Sequence, residues 1–175
     1  VQMASENEDK STVLILSPTR ELAVQTAGEL RKYAKYLAGV GMAVLYGGAS
    51  METQIYQLKT ARIVIGTPGR IMDHLRRKTL KLANLRTVVL DEADEMLNMG
   101  FIDDIHSILE TAPAEHQTVL FSATMPPAIV KITEEFQHDP VQITVNVGQK
   151  TALSIEQSYY NIPQAGKQDA LRLLL

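Results

Sequence analysis

Six short apolar runs recur along the chain: TVLIL from Thr12, MAVLY from Met42, RIVIG from Arg62, TVVL from Thr87, TVLF from Thr118 and VQITV from Val141. They are rich in Val, Ile and Leu and barely alternate in polarity. That pattern suits strands buried on both faces of a parallel sheet. Between the runs, apolar residues fall at helical spacing: Leu22, Leu30, Tyr33 and Leu37; Ile71 and Leu75; Ile102, Ile105 and Leu109; Ile129, Ile132 and Phe136. Strand alternating with helix implies right-handed crossovers and predicts a doubly wound α/β domain with a mostly parallel sheet.

With 175 residues, 45% of them hydrophobic and 21% charged, the chain holds one sizeable globular domain and the start of another. The polar stretch NVGQKT around Gly148 marks the boundary and divides the chain into 1–150 and 151–175. Beyond it IEQSYYNI reads as a strand and GKQDALRLLL as the beginning of a helix. No cysteine is present, which excludes disulfides and cysteine-ligated metals and fits a reducing, cytoplasmic setting, or a nuclear one in a eukaryote. No apolar stretch approaches the roughly 20 residues that span a bilayer, so no membrane association is expected. The first eleven residues are polar and acidic, unlike a signal peptide. The sequence starts at Val1 and breaks off in mid-helix pattern at Leu175, so a piece of a longer protein is expected. A net charge of -3 gives no basic field, and nucleic-acid binding would have to come from a local patch.

Ligands of open α/β sheets bind beyond the carboxyl ends of the strands. Here five apolar runs end in compact polar motifs: SPTREL (Ser17 to Leu22), YGG (Tyr46 to Gly48), TPGR (Thr67 to Arg70), DEAD (Asp91 to Asp94) and SAT (Ser122 to Thr124). Parallel strands would deliver all five to one edge. SPTR and TPGR share a pattern in which Ser17 and Thr67 suit an N-cap, Pro18 and Pro68 the first helical position, and Arg20 and Arg70 the first turn. A cation there opposes the helix dipole, so a bound phosphate is the natural reason for it. Taken singly, each motif also reads as a plain helix start with a surface Arg, and YGG as a tight turn with a positive φ.

Asp91, directly after VVL, is placed to hold magnesium, which needs only one or two carboxylates alongside waters and phosphates. Glu92 beside it could orient or deprotonate a water. The plainer reading, acids decorating a first helical turn, accounts well for Asp94 and Glu95 and less well for Asp91. Ser122 and Thr124 read either as a cap and turn or as partners of Asp94. Arg76, Arg77, Lys78 and Lys81 form a basic stretch, read as a solvated face with RNA contact as the minor alternative. A phosphate-binding G-x-x-x-x-G-K-[ST] loop is absent, since the one Gly-Lys pair, Gly166-Lys167, is followed by Gln168 and preceded at the required position by Asn161. His74, His106, His116 and His138 show no metal spacing, and surface positions are expected for most. Aromatics at 5% give no base-stacking platform.

Together PTRELA, GG, TPGR, DEAD, MLNMGF (Met96 to Phe101) and SAT, in this order, resemble the DEAD-box ATP-dependent RNA helicases from about Val13 to the end. The resemblance implies a RecA-like fold and a parent enzyme that couples binding and hydrolysis of ATP with Mg2+ to local unwinding of RNA. It implies that Pro18, Thr19, Arg20, Gly47, Gly48, Thr67, Gly69 and Arg70 face the RNA backbone without reading sequence. Asp91 and Glu92 would serve magnesium, through water, and the hydrolytic water. Asp94, Ser122 and Thr124 would link hydrolysis to strand separation. The family's adenine-reading glutamine motif and phosphate loop have no counterpart in this sequence, and a second helicase domain of the same chain is expected as partner. The chain is therefore expected to be incomplete at its N-terminus, inactive alone as an ATPase, and open at a sheet edge. Two other readings are a non-catalytic RNA-binding or protein-interaction module and a phospho-acceptor domain. The second needs an acidic pair after the first strand, where SPTR stands instead.

Overall fold

The computed structural model describes residues 12–145 and 158–174. The acidic N-terminal segment, the boundary at Val147 to Thr151 and the first part of IEQSYYNI lie outside the described residues. Two compact units are present, one ending at Pro140 and one running from Val141.

The first unit is built on five parallel strands: β1 (Val13–Leu16), β2 (Gly41–Leu45), β3 (Ala61–Gly66), β4 (Thr87–Leu90) and β5 (Gln117–Leu120). Their order across the sheet is β2-β3-β1-β4-β5. The register leaves the strand ends level, with Leu16 beside both Gly66 and Leu90, Leu45 beside Gly66, and Leu120 beside Leu90. Gly66 allows this close alignment, because a Cβ there would lie 2.4 Å from the Leu45 carbonyl oxygen.

Six helices cover the sheet: α1 (Arg20–Tyr33), α2 (Met51–Leu58), α3 (Pro68–Arg76), α4 (Ala93–Asn98), α5 (Ile102–Thr111) and α6 (Pro127–Phe136). From β1 the chain steps outward to β2 and then returns toward β5. Right-handed crossovers therefore put α1 on one face and the later helices on the other. Ile15, Val44, Ile63 and Ile65 pack beneath Ala23 and Ala27 of α1. Leu14, Leu16, Leu45, Val88 and Leu90 face the larger core with Ile71, Met96, Ile105, Ile108, Ile129 and Ile132. Each such aliphatic side chain contributes about 1.5–3 kcal/mol when fully buried.

The expected doubly wound parallel sheet is what forms, with three differences. VQITV is no strand among its described residues: Val141, Ile143 and Val145 are exposed and pair with nothing. Residues Ser158 to Ile162 are likewise irregular, followed by a 3-10 turn (Gln164–Gly166) and α7 (Lys167–Leu174). β-branched composition fits a strand, but a strand exists only with a neighbour to complete its ladder. In addition, α1 ends at Tyr33, short of Leu37.

In a parallel ladder alternate residues bond to alternate sides. On the outer side of β2, the N–H of Val44 donates to the Gln57 side chain at 3.2 Å. On the outer side of β5, the carbonyl of Thr118 accepts from the Gln137 side chain at 3.1 Å. The expected open edge is thus partly covered at both rims of the sheet.

Candidate functional site

Level strand ends put the residues that follow them in a row: Tyr46, Thr67, Ser17, Asp91 and Phe121, in sheet order. All five polar motifs therefore share the carboxyl edge, with YGG, TPGR and SPTR on one side and DEAD and SAT on the other.

SPTR and TPGR are not geometric copies. Ser17 still belongs to the sheet, its N–H bonding the Gly66 carbonyl at 3.0 Å, and its side chain is buried. The N-cap of α1 is Thr19, whose hydroxyl accepts from Leu22 N–H at 3.3 Å. Ser17 as N-cap and Pro18 as first helical residue are therefore corrected: the helix starts at Arg20, because the β1 ladder continues one residue further. In TPGR the N-cap is Thr67 and Pro68 opens the helix, as its fixed φ favours, but Thr67 makes no side-chain cap bond.

The two arginines differ accordingly. Arg20 is exposed, with its guanidinium 4.8 Å from the centre of the Tyr46 ring. Arg70 has a side chain only 14% exposed. One of its terminal nitrogens donates to the Ala49 carbonyl and to Gln54 Oε1, each at 3.2 Å. Gly47 and Gly48 lie exposed in the loop between these arginines, with Gly48 at φ +82°, which favours glycine. Gly69 lies near Phe101 and the carboxylate of Asp104, across the α3–α5 contact. The basic residues Arg76, Arg77 and Lys78 end or follow α3 and so point to the opposite edge of the sheet.

Asp91 anchors its backbone to β1 through its N–H and the Leu16 carbonyl at 2.9 Å. Neither the Asp91 nor the Glu92 carboxylate has a side-chain hydrogen bond or ion pair among the described residues. Glu92 has φ 54° and ψ 55°, a left-handed conformation at the N-cap of α4. Such strain in a non-glycine residue costs about 1–2 kcal/mol and collects at functional positions. No cluster of three or more metal-ligating side chains occurs among the described residues. The donor set suits a hydrated magnesium ion, which takes one or two carboxylates and fills its other positions with waters and phosphate oxygens.

Asp94 is tied to the loop after β5. Its Oδ2 accepts from the Thr124 N–H at 2.9 Å and from the Thr124 hydroxyl at 2.7 Å. Its own N–H donates to the Ser122 hydroxyl oxygen at 3.2 Å, and that hydroxyl donates to the Thr124 carbonyl at 2.6 Å. Burial pushes the Asp94 carboxyl up, but the bonds from Thr124, Ser122 and Ala123 outweigh it and hold it below the usual carboxylate range.

Sequence reasoning missed a buried polar pair. Gln54 of α2 and His74 of α3 are both almost wholly buried, while His106 and His116 are partly exposed and His138 exposed. His74 Nε2 lies 3.0 Å from Gln54 Oε1, and Gln54 Nε2 donates to the Tyr46 carbonyl at 3.0 Å. The signal for His74 was its position three residues after Ile71, on the inward stripe of α3. Gln54 carried no comparable signal.

The fold and this row of motifs define a parallel α/β domain of the RecA-like type. The family model for DEAD/DEAH box helicases matches residues 1–132, and the chain belongs to that family. It is 49% identical to the ATP-dependent RNA helicase CshA of Listeria monocytogenes over all of this chain and 34% of that protein. With the ATP-dependent RNA helicase DeaD of Haemophilus influenzae the identity is 46%, over 94% of this chain and 27% of the relative. The crystal structure of a DEAD box protein from Methanococcus jannaschii superposes with a TM-score of 0.76 at 43% identity, covering 95% of this chain and 45% of that one. The chain spans about a third or less of the length of these curated relatives.

Proposed function

We propose that the chain forms the part of an ATP-dependent RNA helicase that grips the RNA backbone and serves hydrolysis at one sheet edge. The observation that carries this is the level row of strand ends, which sets two helix starts and the YGG loop beside an unpartnered carboxylate pair. Helix N-termini and backbone N–H groups bind phosphate oxygens without reading bases. Pro18, Thr19, Arg20, Gly47, Gly48, Thr67, Gly69 and Arg70 make up that backbone-facing set. The exposed Arg20 supplies the free positive charge. Asp91 would hold Mg2+ through water, and bound Mg2+ would neutralise charge developing on the ATP phosphates. Glu92 accepts a hydrogen bond from the attacking water and orients it. Asp94, bonded to Thr124 and linked to Ser122, ties the element bearing Asp91 and Glu92 to the loop after β5. Any rearrangement at the carboxylates is thereby passed to the neighbouring strand end.

The chain alone would bind single-stranded RNA of any sequence and would not hydrolyse ATP, because its sequence lacks the Gly-Lys-Ser/Thr phosphate loop. Fluorescence anisotropy with two labelled RNAs of unrelated sequence, across a salt series, tests the first part. Equal affinities that fall as salt rises are expected. Strong preference for one sequence, or no binding at low salt, would overturn it. RNA-stimulated phosphate release by residues 1–175 would overturn the second part.

A further inference from the structure

We infer that Gln54, held in place by His74, is a positioning residue of the backbone grip: it fixes Arg70 as a brace on the Tyr46–Ala49 loop and never touches the RNA itself. The inference rests on the functional reading above, in which that loop faces RNA. The chemistry of each contact fixes the arrangement. The Tyr46 carbonyl can only accept, so the Gln54 atom 3.0 Å from it is the amide nitrogen. The amide oxygen therefore faces the Arg70 guanidinium at 3.2 Å and His74 Nε2 at 3.0 Å. Arg70 can only donate, and His74 must then carry its proton on Nε2. The other ring nitrogen, Nδ1, then accepts from the Thr79 hydroxyl at 2.8 Å, which also lies 3.2 Å from the His74 carbonyl and shares its one proton between them. Every polar atom of the His74 ring and every heavy polar atom of the Gln54 amide thus has a partner.

One amide accordingly holds both ends of the loop region. Its nitrogen secures the Tyr46 carbonyl, and its oxygen orients the guanidinium that secures the Ala49 carbonyl at 3.2 Å. Gly47 and Gly48, the residues proposed to approach the phosphates, lie between those two anchors. Arg70, with its side chain 14% exposed, acts within the backbone-facing set chiefly by holding this loop. Asp73, 3.9 Å from Arg70 and half exposed, is a weak competitor for it.

The test compares Gln54→Ala, Arg70→Ala and the double variant of the 175-residue chain. Amide hydrogen exchange at Gly47 and Gly48 and affinity for a labelled single-stranded RNA are measured. Gln54→Ala is expected to raise exchange at both glycines and weaken RNA binding about three- to tenfold. In the Arg70→Ala background it should add less than its full single effect, because the Arg70 half of the brace is already lost and only the Tyr46 anchor remains to remove. Unchanged exchange in folded Gln54→Ala, or losses that multiply in the double variant, would overturn the inference. If the wild-type chain binds no RNA, the functional reading fails, while exchange still tests the brace. Should Gln54→Ala not fold, Thr79→Val, which loosens His74 alone, must raise exchange at the same glycines above wild type, and unchanged exchange would overturn the inference.

Discussion

The guanidinium of Arg20 sits 4.8 Å from the ring centre of Tyr46, although the strands they follow, β1 and β2, are not neighbours. The contact spans the end of β3, above the start of TPGR. It joins SPTREL to YGG, two of the three motifs proposed to face the RNA backbone. Tyr46→Leu keeps an apolar side chain against the core but removes the ring, and should cost about 0.5–1 kcal/mol of stability. Tyr46→Phe should lie within that margin of wild type. Urea midpoints check both, and equal destabilisation by the two variants would show that the ring face contributes nothing.

Thr124 and Asp94 share two hydrogen bonds. Thr124→Val keeps the shape and deletes the hydroxyl bond, so a loss of about 1 kcal/mol is expected, at the low end because the pair faces solvent. Asp94→Ala should cost a similar amount or slightly more. The double variant should be no less stable than Asp94→Ala alone. A sum of the two single effects, measured by chemical denaturation, would contradict the coupling.

His74 gives the protein a pH dependence whose sign is fixed by its surroundings. Burial, then the nearby Arg70, pushes the imidazole below its ordinary value; Asp73 opposes them, and Arg77 adds a smaller downward push. The unfolded chain therefore binds a proton that the folded chain refuses. Stability contributed by neutral His74 is complete above the ordinary imidazole range and is lost as pH falls through it toward the depressed folded value. Urea midpoints at pH 7.5 and pH 5.5 should differ less in His74→Gln than in wild type. An equal difference would mean that His74 stays neutral in both states or charged in both.

Glu92→Gly should stabilise the chain by about 0.5–1 kcal/mol, because glycine accepts the left-handed backbone that glutamate adopts under strain. The same change removes the carboxylate proposed to orient water. Activity in a complete enzyme should fall as stability rises, the usual opposition at strained functional positions. A lower urea midpoint for Glu92→Gly would show that the side chain holds the turn.

The sheet could be read from the chain because its strands are enclosed. Leu14, Leu16, Ile63 and Ile65 are nearly inaccessible, so their runs lack polar interruptions. VQITV is likewise apolar but has no strand beside it among the described residues, and composition cannot report the absence of a partner. The shared Ser/Thr-Pro-x-Arg pattern predicted twin arginine sites. The helices instead start at different offsets, because Ser17 is kept in the sheet by a backbone bond to Gly66 that no side chain signals. The contacts of Asp94 were anticipated because both partners lie at strand ends. The Gln54–His74 pair was not, since it joins α2 to α3 through buried atoms far apart in sequence.

Gln57 and Gln137 each occupy one outward-facing backbone position, at opposite rims of the sheet. A fully bare rim would accept any extended chain in solution, including another molecule of the same kind, and so seed aggregates. With these amides in place, a newcomer at either rim must first displace a formed hydrogen bond. Casual strand addition is thereby disfavoured, while a segment that brings a complete ladder of its own could still replace the blocking side chain.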